Sequence, residues 1–183
     1  LVCSGSLDFY DALYLLRERG KAMQEAVPIG AGIMIAVLGS NIDEIRNLLN
    51  SFDKKKGVCE IANDNAEGQL ILSGDNENVK LFQNILKEKK IKCNTLKVSA
   101  PFHCSLMRKA AEVMKEKINK INFKKPLVDI ISNVTAKPEN EPENIKKLLI
   151  EQIFSTVKWR ESMINISKLD VLNYIEVGPG KAL

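Results

Sequence analysis

The sequence predicts an α/β chain in which a small β-α-β-β-α-β module interrupts a larger α/β domain. Three observations predict it. Between residues 31 and 98, short apolar runs of strand length alternate with two stretches of helical periodicity. At 127–132 (LVDIIS) and 171–177 (VLNYIEV) lie continuous apolar runs of the kind that buried parallel strands show. Amphipathic helical stretches flank those runs, as covering helices do.

Each element follows in order. Residues 7–27 read as an amphipathic helix capped by Asp8, with Leu13, Leu16 and Met23 at roughly helical spacing and Pro28 and Gly30 closing it. Residues 32–38 (GIMIAVL) read as a strand ended by Gly39-Ser40. Residues 41–51 read as a helix with Ile42, Ile45, Leu48 and Leu49 on one face. Strands at 58–63 and 69–73 are joined by the turn-rich Asp64–Gly68. A helix at 75–89 carries Val79, Phe82 and Leu86, and a last strand occupies 91–98. This order is the split βαβ, ferredoxin-like arrangement. A helix at about 104–119 follows, striped by Leu106, Met107, Ala110, Met114 and Ile118. Residues 136–143, with two prolines, read as a surface loop, and 144–154 and 158–168 fit two helices. The strands outside the small module are too few for a stable doubly wound sheet. The start at Leu1 and the stop in GPGKAL both read as cuts, so the larger domain is expected to be incomplete.

Composition narrows the function classes. Of the 183 residues 45% are hydrophobic and 27% charged, the balance of a globular domain with a sizeable core. The formal charge is +4 and the pI 8.8, with lysines spread along the chain apart from runs such as Lys54-Lys55-Lys56. With only 5% aromatics, no nucleic-acid surface is expected. A mildly basic surface still suits an acidic partner or a phosphate-bearing substrate. Cys3, Cys59, Cys93 and Cys104 form no CxxC pair, so no zinc site is expected, and free thiols in a reducing cytosol are the default. No apolar run approaches the ~20 residues of a membrane helix, so no membrane span is expected.

Few residues offer chemistry. His103 is the single histidine and sits between a predicted strand and a predicted helix, where α/β enzymes place reactive groups. On position alone it is either a proton carrier or a helix-start residue with a capping role. Arg19, late in the first helix, is either a bidentate grip for a carboxylate or a surface arginine. Cys104 beside His103 makes a poor nucleophile pair, because adjacent side chains diverge and no orienting base is evident. Gly178-Pro179-Gly180 lacks the spacing of a phosphate loop. No GxSxG elbow occurs in the chain.

Longer runs carry a resemblance. LeuValCysSerGlySerLeuAspPhe with ArgGlyLysAlaMetGlnGluAlaValPro resembles the segment that follows the GHSxGE motif in malonyl-CoA:acyl carrier protein transacylases. SerAlaProPheHisCysSerLeuMet is similar to that family's catalytic histidine segment. IleGluGlnIlePhe followed by ValLysTrp, and TyrIleGluValGlyProGlyLysAlaLeu, are similar to its later active-site stretch and near-terminal strand. The motifs keep family order over essentially the whole chain.

The resemblance implies an α/β-hydrolase-like acyltransferase body, incomplete here, made of residues 1–30 and 99–183. It implies a ferredoxin-like small subdomain at 31–98. The implied reaction moves a malonyl group from malonyl-CoA to the phosphopantetheine thiol of acyl carrier protein, for fatty acid biosynthesis. The acyl group passes through a seryl ester on a serine a few residues before Leu1. His103 is implied as base and acid, Arg19 as partner of the malonyl carboxylate, and Gln152 as the position whose backbone carbonyl orients the histidine. Phe102, bulky and next to His103, is implied as a specificity position favouring malonyl over branched units, or as simple packing. No cofactor or metal is implied; phosphopantetheine is carried by the partner. A cytoplasmic monomer is implied. Two other readings share the residues: an acyltransferase domain of a polyketide or fatty acid synthase, and a non-catalytic remnant that binds acyl carrier protein.

Overall fold

A computed structural model of the chain describes residues 1–53 and 57–178. The Lys54–Lys56 run and the Pro179-Gly180 part of the last turn lie outside the described residues. The first helix, α1, spans Phe9–Glu25. Asp8 caps it, its carboxylate accepting from the Tyr10 amide at 2.8 Å. The buried stripe is Leu15, Ala22 and Met23. The buried face differs from the expected one: Met23 lies on it, whereas Leu13 and Leu16 point off the stripe that meets the next body helix and are exposed.

The small module forms as its periodicity predicts. Strand β1 (Gly32–Leu38) leads to α2 (Ile42–Ser51), then β2 (Cys59–Ala66), β3 (Gln69–Asp75), α3 (Asn76–Glu88) and β4 (Lys92–Thr95). The sheet order is β2-β3-β1-β4 with every neighbour antiparallel. Strand β3 therefore separates β1 from β2, which is the split βαβ topology. Ile45 and Leu49 of α2 with Val79, Phe82 and Leu86 of α3 close over Ile35, Val37, Leu70 and Leu72 in one core. Asn41 and Asp75 cap the two helices from outside. Strand β2 runs further than expected, through two register irregularities to Ala66, and the connection to β3 shrinks to Glu67-Gly68.

The rest of the chain builds a second core. A 3-10 turn (Ser105–Met107) opens α4 (Arg108–Asn119), whose Ala110, Ala111, Met114 and Ile118 pack with Leu15, Met23 and Ile153. Helix α5 (Pro142–Gln152) starts two residues earlier than expected because Pro142 suits the first helical turn. Helix α6 spans Trp159–Ile166.

Two strands expected to be buried and parallel are not. Of 127–132 only Ile130–Ile131 (β5) pairs, antiparallel to Pro138–Glu139 (β6), and Leu127 is 84% exposed. Residues 171–177 form no strand, and Leu172, Ile175 and Val177 are exposed. The reason is common to both. A strand's amides need neighbouring strands, and among the described residues none lies parallel to either run. The apolar composition signals burial without supplying a partner.

Candidate functional site

The loop between β4 and α4 carries His103 on a turn. Its φ of 57° lies in the left-handed region, which costs a residue with a Cβ about 1–2 kcal/mol. Neighbours hold the turn in place. The Phe102 amide donates to Ala100 O at 3.1 Å, the buried Cys104 thiol to Pro101 O at 3.2 Å, and the Met107 amide to Cys104 O at 2.9 Å. Gly32 allows this approach, since a Cβ there would sit 2.6 Å from Pro101 Cδ.

From this turn the imidazole reaches the end of α5. His103 Nδ1 lies 2.9 Å from the backbone oxygen of Gln152. A carbonyl only accepts, so Nδ1 carries the proton and Nε2 keeps a free lone pair. Gln152 is the last residue of α5, where carbonyls lack intrahelical partners, so the imidazole also satisfies a helix end. The Gln152 side chain continues the chain of contacts. Arg19 Nη2 donates to Gln152 Oε1 at 3.0 Å, and Gln152 Nε2 donates to Asn133 Oδ1 at 3.3 Å. One glutamine thus joins His103, Arg19 and Asn133.

Charge follows from burial. Arg19 is held below the usual arginine value by burial, and among the described residues no carboxylate pairs with it. It remains protonated, as arginine does. Burial lowers the His103 pKa below its ordinary value of 6.5; the hydrogen bond to Gln152 opposes this and the positive charge of Arg19 adds to it. Burial likewise pushes the Cys104 thiol up, which removes it as a nucleophile.

His103 lines a cleft of about 760 Å³ between the small module's β2 and the body, with Glu60, Asp64, Phe154, Thr156 and Arg160. Arg19 and Gln152 line two smaller cavities of about 280 and 370 Å³, walled by Leu1, Leu16 and Leu149. The first of these cavities is almost wholly apolar in its lining, so a charge entering it has Arg19 to meet and little else. The cleft has stitched edges. Thr156 Oγ1 donates to Ile61 O at 2.6 Å, the Val157 amide to Ala62 O at 2.8 Å, and the Asp64 amide to Val157 O at 2.9 Å. The Lys158 amide then donates to Asn133 O at 2.9 Å.

Of the residues expected from the sequence, His103, Arg19 and Gln152 come together. Phe102 is half-buried and packs against the body's core. Sequence reasoning missed Asn133, although a polar residue closing an apolar run is a usable signal. It also missed the side chain of Gln152 and the Glu60 carboxylate, which accepts from both Ser105 N (2.8 Å) and Ser105 Oγ (2.7 Å). Among the described residues no group of three or more His, Cys, Asp or Glu is placed to hold a metal ion. No helix among them is long and apolar enough to cross a membrane.

No protein-family model matches the chain. Over its whole length it is 40% identical to the malonyl CoA-acyl carrier protein transacylase of Bacillus subtilis and 36% identical to that of Escherichia coli K12. It spans 58% and 59% of those proteins, so it matches somewhat over half of each. The transacylase structure from Clostridium perfringens aligns with a TM-score of 0.94 at 35% identity, over 98% of this chain and 57% of that one. A malonyl-transacylase solved with its type II polyketide acyl-carrier protein gives a TM-score of 0.89 at 33% identity, over 93% of this chain and 55% of that one. The likeness read from the sequence therefore holds in sequence and in mixed α/β fold throughout the chain.

Proposed function

We propose, from the premise that this chain is homologous throughout to part of the malonyl CoA-acyl carrier protein transacylases, that it supplies the base and the acyl-carboxylate clamp of that reaction. The observation that carries the reading is the join at Gln152. Its backbone oxygen fixes the His103 tautomer at 2.9 Å, and its side chain holds a half-buried arginine with no carboxylate partner among the described residues.

The steps follow from those atoms. A serine in a segment preceding Leu1 is proposed as nucleophile. His103 Nε2 takes its proton as Oγ attacks the thioester carbonyl of malonyl-CoA. When the tetrahedral adduct collapses, the imidazolium returns the proton from Nε2 to the departing thiolate of coenzyme A. The phosphopantetheine thiol of acyl carrier protein then loses its proton to Nε2 and attacks the seryl ester, and the serine is reprotonated. The Gln152 carbonyl takes the orienting place that an aspartate holds in a Ser-His-Asp triad. Arg19 meets the malonyl carboxylate with two N–H donors. Acetyl would leave the same half-buried guanidinium without an anion, so the clamp selects by penalty as well as by attraction. Phe102 is proposed to limit the room beside His103 to an unbranched acyl group, which its packed, half-buried position supports. The reading takes the protein as a cytoplasmic monomer without metal or prosthetic group, with residues 31–98 as a small subdomain set into the acyltransferase body.

The test is acyl transfer to acyl carrier protein by the protein carrying this chain and its preceding segment. Arg19→Ala is expected to lower malonyl transfer by ~100-fold or more, the scale of a lost charged contact, and to leave acetyl transfer unchanged or raised. Equal losses for both acyl groups refute the clamp. Absence of any malonyl adduct on the wild-type protein refutes the reaction.

A further inference from the structure

The turn that carries His103 is anchored on one side by Gln152. On the other side the anchor comes from the small module. Ser105 opens the 3-10 turn that leads into α4, two residues after His103. Its amide is one of the donors that a helix start leaves without an intrahelical acceptor. The residue at the cap position, Cys104, makes no side-chain capping bond. Glu60 of β2 takes that place from across the cleft. One carboxylate oxygen accepts from Ser105 N at 2.8 Å and the other from Ser105 Oγ at 2.7 Å. A carboxylate at a helix start is favoured by the helix dipole, and two parallel bonds fix its orientation.

We propose that Glu60 is a positioning residue for His103. It holds the turn in the left-handed conformation from which the imidazole reaches Gln152 O. The inference rests on the proposed function only for its catalytic consequence. The geometry is independent of it. The backbone at His103 is unfavourable for a residue with a Cβ, so it persists only while both flanks are tied. Release of Ser105 frees the turn to relax toward ordinary φ, and the ring then leaves the 2.9 Å contact with Gln152. Glu60 belongs to the small module's sheet, so the small module and the body jointly set the position of the base.

His103 is the single histidine of residues 1–183, and in the protein with its preceding segment its ring signals are identified by their loss in His103→Gln. Long-range 1H–15N spectra of that protein labelled in histidine read the tautomer directly. The wild type is expected to show a protonated Nδ1 and a bare Nε2. Glu60→Gln is expected to draw the two 15N shifts together as the tautomers mix, and Ser105→Ala, which keeps the amide's bond to Glu60, to do so in the same direction by less. Ser105→Thr, which keeps the hydroxyl, is expected to restore the wild-type pattern. Ser105→Ala changes no charge, so agreement between it and Glu60→Gln separates positioning from a field effect of the carboxylate. It also removes only a hydroxyl, so it still reads the proposal if Glu60→Gln fails to fold. In malonyl transfer by the protein with its preceding segment, kcat is expected to fall ~10-fold or more with KM little changed, as for a displaced base. Wild-type ring signals in both variants overturn the proposal. So does a raised KM with kcat unchanged, which would make Glu60 a substrate contact. A wild-type protein that transfers no malonyl, while its ring signals still respond to Glu60→Gln, overturns the proposed reaction and leaves the positioning role standing.

Discussion

Replacing Arg160 by alanine tests the tie between the small module and the first turn of α6. Asp64 of β2 has a side chain only 5% exposed. Arg160 Nε donates to its two carboxylate oxygens at 2.9 and 3.1 Å, and Nη2 lies 2.9 Å from Oδ2. Glu67, farther off at 3.6 Å and 74% exposed, adds little. Stripping a fully buried carboxylate of its cation costs about 3–5 kcal/mol. The Arg160 side chain is 28% exposed, so water screens part of the attraction. The loss therefore falls at about 2–3 kcal/mol, a drop in Tm of roughly 5–10 °C for a chain of this size. Thermal unfolding followed by circular dichroism measures it, with Asp64→Ala and the double variant completing a cycle. Coupling of about 1 kcal/mol or more is expected. A Tm within about 1 °C of wild type, or two effects that simply add, refutes the reasoning.

Three further outcomes follow from the burial of ionisable groups. The His103 pKa is depressed in the fold by burial, so the unfolded chain binds its proton more tightly; the stability His103 contributes is present above about pH 6.5 and is lost as pH falls through the depressed value. His103→Gln is expected to flatten that part of the urea-unfolding profile, and an unchanged slope between about pH 5 and 7 refutes it. Arg19→Gln removes a nearby positive charge and is expected to raise the His103 pKa in an NMR titration. Cys3 is exposed, whereas Cys104 is buried with its thiol pKa raised by that burial. A disulfide reagent at mild alkaline pH is therefore expected to label Cys3 in the folded protein and Cys104 only on unfolding. Comparable rates at the two sites, mapped by peptide mass, refute it.

The small module was legible because its information is local. Its strands and helices announce themselves by period, Asp75 and Asn41 cap as their side chains allow, and the order of elements leaves few topologies. The body was legible only in its helices. The runs at 127–132 and 171–177 signal burial, but pairing is a property of two strands and the second is not written in the first. The same holds at the site. His103 and Arg19 stand out by residue type and position, and Gln152 through the resemblance alone. The Glu60–Ser105 contact joins residues 45 apart in sequence, and a glutamate in a strand otherwise reads as solvated surface.

Orientation of His103 by a carbonyl has consequences that a carboxylate would not. A carboxylate beside Nδ1 would stabilise the imidazolium with a full negative charge and raise the pKa. The Gln152 oxygen offers only a partial charge, and its effect is outweighed by burial, with Arg19 acting in the same direction as burial. His103 is therefore neutral at pH 7 with its tautomer already fixed, which suits a base that must accept a proton at Nε2. Once protonated there, it is a stronger acid than an ordinary imidazolium and gives the proton readily to a departing thiolate. The proposed reaction needs both events in each half, once in each direction. A Gln152→Ala variant keeps the backbone carbonyl but frees Arg19 from its neutral acceptor. It is expected to leave the His103 tautomer intact while weakening acyl-group selection. A lost tautomer signature in that variant would show that the side chain, and not the carbonyl, holds the base.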